Sequence, residues 1–334
     1  MKILHDARSR AAEITPPDWA GEPSPLGALR GRVVLVDFFS LGDPEGVRAL
    51  RGLGGLSDHY AAAGLTVVGV HVPAYDFERP FERARAEIYR LGVPYSVALD
   101  HGFETVRNYP CRDLPARALV DASGFLRAWP QGPGSVPALE HGARHLLREH
   151  SPGVALAPPL SPYGPGLLRF RPTPEIRFGA RGVGFGPPFD EEPPQVGDVR
   201  RFGEPPDVRP QGVAHLEGAW RLANDRIVAE EDGARVAVVY EGTSIHAVVS
   251  LDASAGGPVP LTITRDGEPP PAHELGADAT LDGDAARVSV DGGRVYELIS
   301  TDAFGVHHLS IEAVKAGTAL HLVEFGSIDV PEEV

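Results

Sequence analysis

Between residues 32 and 150, continuous apolar runs alternate with amphipathic stretches. Val33-Val34-Leu35-Val36-Asp37-Phe38-Phe39 and Leu65-Thr66-Val67-Val68-Gly69-Val70-His71 are rich in β-branched and aromatic residues. Such runs predict central strands covered on both faces. A helical segment from Pro44 to Ala63 lies between them. It is a weak helix, since Gly52, Gly54 and Gly55 each cost about 1 kcal/mol relative to Ala. Phe81–Leu91, rich in Glu, Arg and Ala, predicts a better one. A short strand at Tyr95–Leu99, a helical turn at Phe103–Asn108 and a strand at Arg117–Asp121 follow. Ala122-Ser123-Gly124 then turns the chain into Phe125–Trp129, and a helix over Val136–His150 closes the series. The order β-α-β-α-β-α-β-β-α predicts an α/β layer structure with an antiparallel hairpin at one edge.

The pattern then changes twice. Residues 151–212 are dominated by Pro and Gly, with pairs at Pro158-Pro159, Pro187-Pro188, Pro193-Pro194 and Pro205-Pro206. This is too long for an ordinary loop. It reads as a disordered linker or an extended arm, with Arg169-Phe170-Arg171 and Ile176-Arg177-Phe178 as anchors. Residues 213–326 read as all-β. Short strands are expected at Val236–Tyr240, Ile245–Leu251, Pro260–Thr264, Arg287–Val290, Val295–Ile299, His308–Ala313 and Ala319–Phe325. Asp-Gly turns at 232–233, 266–267, 282–283 and 291–292 punctuate them, which predicts a β-sandwich. The division is 1–152 for the α/β domain, 153–212 for the linker or arm, and 213–334 for the sandwich.

Composition narrows the function classes. The 334 residues are 42% hydrophobic and 23% charged, and carry a formal net charge of −15. A surface this acidic repels phosphate backbones and anionic lipids, so neither nucleic acid nor membrane is an expected partner. No stretch approaches the roughly 20 apolar residues of a membrane span. Met1–Ala12 has no apolar core of signal-peptide length, which places the chain in the cytoplasm unless a leader has been removed. There is one cysteine, Cys111, so no intramolecular disulfide can form.

Several short motifs carry a resemblance. They are Leu29–Phe38, Gly69-Val70-His71-Val72-Pro73 with Phe77-Glu78, and Leu114-Pro115 with Leu119–Gly124. In combination these resemble the thioredoxin-like proteins of the TlpA type. More closely they resemble the C-terminal region of bacterial DipZ proteins and the thioredoxin-like domain of NHL-repeat proteins, over about residues 14–150. The resemblance implies a thioredoxin-like α/β/α domain. DipZ-type chains follow it with a sandwich similar to carbohydrate-binding modules. Thr173–Gly179, the Trp220 region and Glu324-Phe325-Gly326 look like that arrangement.

The family places Cys-x-x-Cys at the start of the helix after the first strand. There the free N–H groups and the helix dipole lower the first thiol's pKa. Here Asp43-Pro44-Glu45-Gly46 lies over the motif, with Asp43 and Gly46 at the two cysteine positions. The replacement is a coherent helix start: Asp as N-cap, Pro at N1, Glu in the first turn. The acidic turn either simply begins a helix or forms part of a recognition surface. Leu114-Pro115 corresponds to the family's cis-proline beside the active site. Either the turn is needed for the fold, or a peptide-binding edge remains in use.

Cys111 lies four residues before Pro115 and beside Arg112. A reactive thiol would need exposure and a low pKa. The position matches an apolar residue of the family pattern, so a buried structural cysteine is expected. His141 and His145 are four apart on the last helix of the first domain. Without a His-Glu-x-x-His pattern they read as a solvated face, and no metal is implied. His71 matches a family histidine and reads as structural. Arg181–Gly186 has glycines but follows no strand and opens no helix, so no phosphate loop and no cofactor are implied. Trp129 and Trp220 could stack on sugars or simply pack in cores.

Three readings follow. The first is a redox-inactive thioredoxin-like protein that binds a protein or peptide, with Asp43, Pro44, Glu45, Gly46, Leu114 and Pro115 as its vestigial surface. The second is a thiol-dependent oxidoreductase using Cys111 alone. The third is carbohydrate binding through the sandwich.

Overall fold

The computed structural model describes residues 9–129, 136–160, 167–180, 195–327 and 329–331. It divides into two compact units, Met1–Gly164 and Pro165–Val334. The glycine stretch at 181–186 and the proline pairs at 187–188 and 193–194 lie outside the described residues.

The first unit comprises β1 (Trp19–Ala20), β2 (Val33–Phe39), α1 (Pro44–Tyr60), β3 (Leu65–His71), α2 (Phe81–Arg90), β4 (Val97–Leu99), β5 (Ala116–Val120), β6 (Leu126–Ala128) and α3 (Val136–His150). Its sheet runs β1-β4-β3-β2-β5-β6. β2, β3 and β4 are parallel, and β5 and β6 are antiparallel. Every side chain of β2 is buried, as an apolar run broken only by Asp37 requires of a strand covered on both faces. Val33, Leu35 and Phe39 face one core with α1 and α3, while Val34, Val36 and Phe38 face a second core with Tyr109 and Trp129. Trp19–Ala20 pairs with Ala98 and Val97 at the sheet edge. That pair of residues is too short to show as a run in the sequence.

The second unit adds β7 (Leu167–Arg169), β8 (Ile176–Arg177), β9 (Val199–Phe202), β10 (Ala214–Leu222), β11 (Ile227–Ala229), β12 (Ala234–Leu251), β13 (Val259–Arg265), β14 (Ala279–Asp282), β15 (Ala285–Val290), β16 (Arg294–Ala313), β17 (Thr318–Gly326) and β18 (Asp329–Pro331). The region read as a linker or arm thus carries strands: β8 pairs with β17 and β9 with β10.

Two expectations about strand length are corrected. Val236–Tyr240 and Ile245–Leu251 belong to one 18-residue strand, and Val295–Ile299 and His308–Ala313 to one 20-residue strand. The polar and glycine residues between them mark a bend within each strand. Gly242 stands opposite Gly305, and the register shifts between Gly242 and Ser244. A Cβ on Gly242 would meet the Gly326 carbonyl oxygen at 2.9 Å. The shift also reverses the inward parity of β12, from Val236, Val238 and Tyr240 before it to Ile245, Ala247 and Val249 after it. One slipped residue exchanges the faces of a strand. The bulge therefore keeps apolar residues on the core as β12 passes from pairing with β10 to pairing with β17.

Candidate functional site

The candidate site lies where the chain leaves β2 and enters α1. Asp43 has extended backbone and caps the helix, its Oδ1 accepting from the Glu45 N–H at 3.2 Å. Val47 N–H donates to the Asp43 carbonyl at 2.9 Å, the first bond of the helix. Pro44 and Gly46 are buried, and Asp43 and Glu45 half-buried. A Cβ on Gly46 would lie 3.3 Å from Asp43 Oδ2 and 3.4 Å from Phe39 Cβ, so a side chain there requires Asp43 to give slightly.

The Leu114–Pro115 peptide is cis and Pro115 is buried. Pro115 immediately precedes Ala116, which pairs with Phe38. The turn therefore enters the sheet at the end of β2 from which the chain runs into α1. The sequence-predicted residues on both sides of this junction are thus brought to one end of the sheet.

Cys111 corrects an expectation: it is half-buried rather than buried. Its Sγ lies 3.5 Å from the Asp113 carbonyl oxygen. Burial, and then the Asp113 charge, push the thiol up to about 11. Nothing in this environment favours a thiolate at neutral pH.

Glu78 organises the junction. Its side chain is buried and accepts from Ser40 Oγ at 2.9 Å, Leu41 N at 2.8 Å, Ala74 N at 3.0 Å and Tyr75 N at 2.9 Å. His71 Nε2 lies 2.9 Å from the same carboxylate. A carboxylate only accepts, so Nε2 of His71 carries the proton. His71 Nδ1, 3.3 Å from His101 Nε2, is then the acceptor when the ring is neutral. Burial, and then the neighbouring His71, hold the His101 pKa down. The sequence marked His71 and Glu78 only as pieces of a motif. The loop from Val72 to Tyr75 that returns Glu78 to Ser40 and Leu41 is tertiary information.

Asp37 and Arg117 form a second buried set. They stand directly opposite on β2 and β5, with Arg117 Nε 2.9 Å from Asp37 Oδ1, and both are buried. Burial pushes Asp37 up to about 6, against the pull of the guanidinium. The Tyr95 hydroxyl is buried without a partner, and desolvation together with Asp37 raises its pKa. Sequence reading missed this set, because its two members lie 80 residues apart.

The remaining sequence candidates are dispersed. His145 reaches Glu149 at 3.7 Å on α3. Among the described residues, no group of three or more His, Cys, Asp or Glu is arranged to hold a metal. Trp129 stacks on Tyr109 in the first unit, and Trp220 is 2% exposed in the second unit's core. Trp220 therefore offers no face to a sugar. In the second unit His321 Nε2 lies 2.7 Å from Ser250 Oγ, but its Nδ1 faces the Asp225 backbone oxygen at 3.1 Å. With both side chains buried, this pair ties strands together.

No helix among the described residues is long and apolar enough to cross a membrane. Residues 173–326 match the family described as thioredoxin like C-terminal domain. The chain is 34% identical over 252 residues to protein DipZ of Mycobacterium bovis, covering 74% of this chain and 34% of that protein. The DipZ protein of Mycobacterium tuberculosis matches equally. The chain thus spans about a third of the length of these relatives. Among solved structures, a thiol:disulfide interchange protein of the thioredoxin family from Chlorobium tepidum is 19% identical, with a TM-score of 0.37, covering 43% of this chain and 99% of that one. The thioredoxin domain of a thiol-disulfide oxidoreductase from Bacteroides vulgatus is 23% identical, with a TM-score of 0.35, covering 41% and 98%. The stretch matched to DipZ is longer than either unit of this chain, so it reaches into both. A thioredoxin-like unit, a β-rich unit of that named family and this match place the chain among the thioredoxin-like proteins of the DipZ/TlpA type.

Proposed function

We propose that the first unit is a binding module for an extended protein or peptide segment, and that it does not catalyse dithiol–disulfide exchange. The observation that carries this reading is the start of α1, where Asp43 caps the helix in place of a thiol. Exchange proceeds through a mixed disulfide that a second thiol must resolve. The chain has one cysteine, half-buried and pushed up to about 11. A monothiol reaction at Cys111 gains no support from that environment.

What supports binding is the geometry around the lost thiols. The capped helix N-terminus and the cis turn at Leu114-Pro115 meet at one end of the sheet, with Glu78 bracing the loop between β2 and α1. Their partner would be an extended segment laid along this edge. The reading takes the chain as cytoplasmic, since a fold with one cysteine requires no oxidising compartment.

Two measurements test it. Thiol-dependent insulin reduction should not exceed that of a Cys111→Ser control, and turnover above the control removes the redox-inactive half. A photo-crosslinking side chain placed at Glu45 should capture a partner from the host lysate that the same label at Asp284, in the second unit, does not. Equal capture at both positions removes the binding half.

A further inference from the structure

A separate concavity of about 280 Å³ lies on the outer face of the second unit. Its floor is a cross-strand row: Ala237 on β12 faces Ser310 on β16, and Ser310 faces Thr264 on β13. Three small side chains in register leave a hollow that larger residues would fill. Its lip is Glu204-Pro205-Pro206-Asp207.

The walls are rich in donors. Arg235 is already committed, its Nε donating to Glu217 at 2.8 Å. Arg209 is not so committed. Its Nη2 lies 3.1 Å from His308 Nδ1, while its Nε is buried without a hydrogen-bond partner. A guanidinium only donates, so His308 Nδ1 accepts and the neutral ring carries its proton on Nε2. Next along the row, His215 of β10 stands opposite Ala237 and is 6% exposed. Its Nε2 is also buried without a partner. Desolvation, followed by the Arg209 charge, lowers the His215 pKa. Among the described residues, this side of the concavity thus has one cation without a carboxylate partner, a fixed imidazole N–H and two floor hydroxyls. It calls for a ligand that accepts hydrogen bonds and carries negative charge.

We propose that this concavity binds a small carboxylate, which accepts from the Arg209 guanidinium, the His308 Nε2–H and the hydroxyls of Ser310 and Thr264. A single negative charge balances Arg209. The two acids of the lip, Glu204 and Asp207, oppose a dianion such as phosphate. The carboxylate belongs to a free organic acid or to a peptide C-terminus. Nothing in this assignment depends on the vestigial site of the first unit.

The test uses the full chain, with calorimetry and the His308 and Ser310 resonances as readouts. The probes are propionate for a free acid, N-acetyl-L-alanine for a chain terminus, the carboxamide of the latter, and inorganic phosphate. At least one of the two acids binds and shifts both resonances, the amide does not, and which acid binds identifies the source. Arg209→Gln weakens the acid about tenfold or more, as loss of a charge-assisted bond requires. Ser310→Ala weakens it too, and Asp207→Asn tightens it. The proposal is overturned if neither acid binds, if the amide binds as well as its acid, or if phosphate binds most tightly. It is also overturned if the folded Arg209→Gln and Ser310→Ala variants both keep wild-type affinity. Should Arg209→Gln fail to fold, Ser310→Ala and Asp207→Asn decide.

Discussion

Asp43 supplies an anion at the start of α1, where the resembled family carries a thiol. A carboxylate at a helix N-terminus satisfies a free N–H and meets the positive end of the dipole, as a thiolate there would. Gly52, Gly54 and Gly55 weaken the interior of α1, so its start leans on the cap. Asp43→Ala is expected to cost about 1 kcal/mol, read from denaturant unfolding, and Asp43→Asn much less. The Asp37 and Arg117 pair behaves differently, because it lies wholly out of water. Removing only the carboxylate strands a buried cation that cannot lose its proton. Asp37→Ala is therefore expected to cost roughly 3–5 kcal/mol, whereas Asp37→Leu with Arg117→Met should recover most of that loss. Equal losses in the single and double variants would refute this account. Arg117 could be seen in the sequence only as a charge inside a strand. Its partner became visible when the antiparallel register set it opposite Asp37.

At the scale of elements, the junction of β2, α1 and β5 sets what the first unit can still do. The family motif can be rebuilt there, since a Cβ on Gly46 meets nothing closer than 3.3 Å, and that atom belongs to Asp43 itself. Asp43→Cys with Gly46→Cys is expected to form a disulfide and to reduce insulin measurably above the Cys111→Ser background. A folded double variant with no exchange would show that the surroundings have moved away from redox work as well. Here much was legible from residues alone: the apolar runs of β2 and β3, the Asp-Pro-Glu helix start and the Leu-Pro turn. Their meeting at one sheet end came through the resemblance and not from periodicity. In the second unit periodicity misled. Glu241–Ser244 and Thr301–His307 look like loops because they are polar and contain glycine. They stay extended because a strand crossing from one partner set to another needs a bulge, and glycine admits the close approach of Gly326.

For the whole molecule, acidity acts through His101 in a way that separates it from ordinary surface histidines. The folded state holds its pKa below the usual 6.5. Stability from this group is therefore present above about 6.5, and is lost as pH falls through the lowered folded value, because the unfolded chain then binds the extra proton. Asp37, raised to about 6, has the opposite sign. Its contribution is complete below its unfolded value of 3.8 and is lost as pH rises through about 6. His101→Phe removes the first of these alone. Unfolding free energies of wild type and variant, compared across pH, should diverge in the variant's favour below about 6.5. Parallel curves would show that His101 is not the group responsible.

Residue order alone was enough for the layer class of the first unit and for the absence of a thiol pair. It sufficed because strand periodicity, helix capping and the count of cysteines are local properties. It also marked the second unit as β-rich, through its short apolar runs and Asp-Gly turns. That Glu78 braces the helix start, that Arg117 answers Asp37 and that Cys111 is half-buried emerged only from the folded chain. Only it gathered Ala237, Thr264, Arg209, His308 and Ser310 about one hollow. Each of these depends on which distant segments share a register or a face, and long-range pairing leaves no period in the chain to be read.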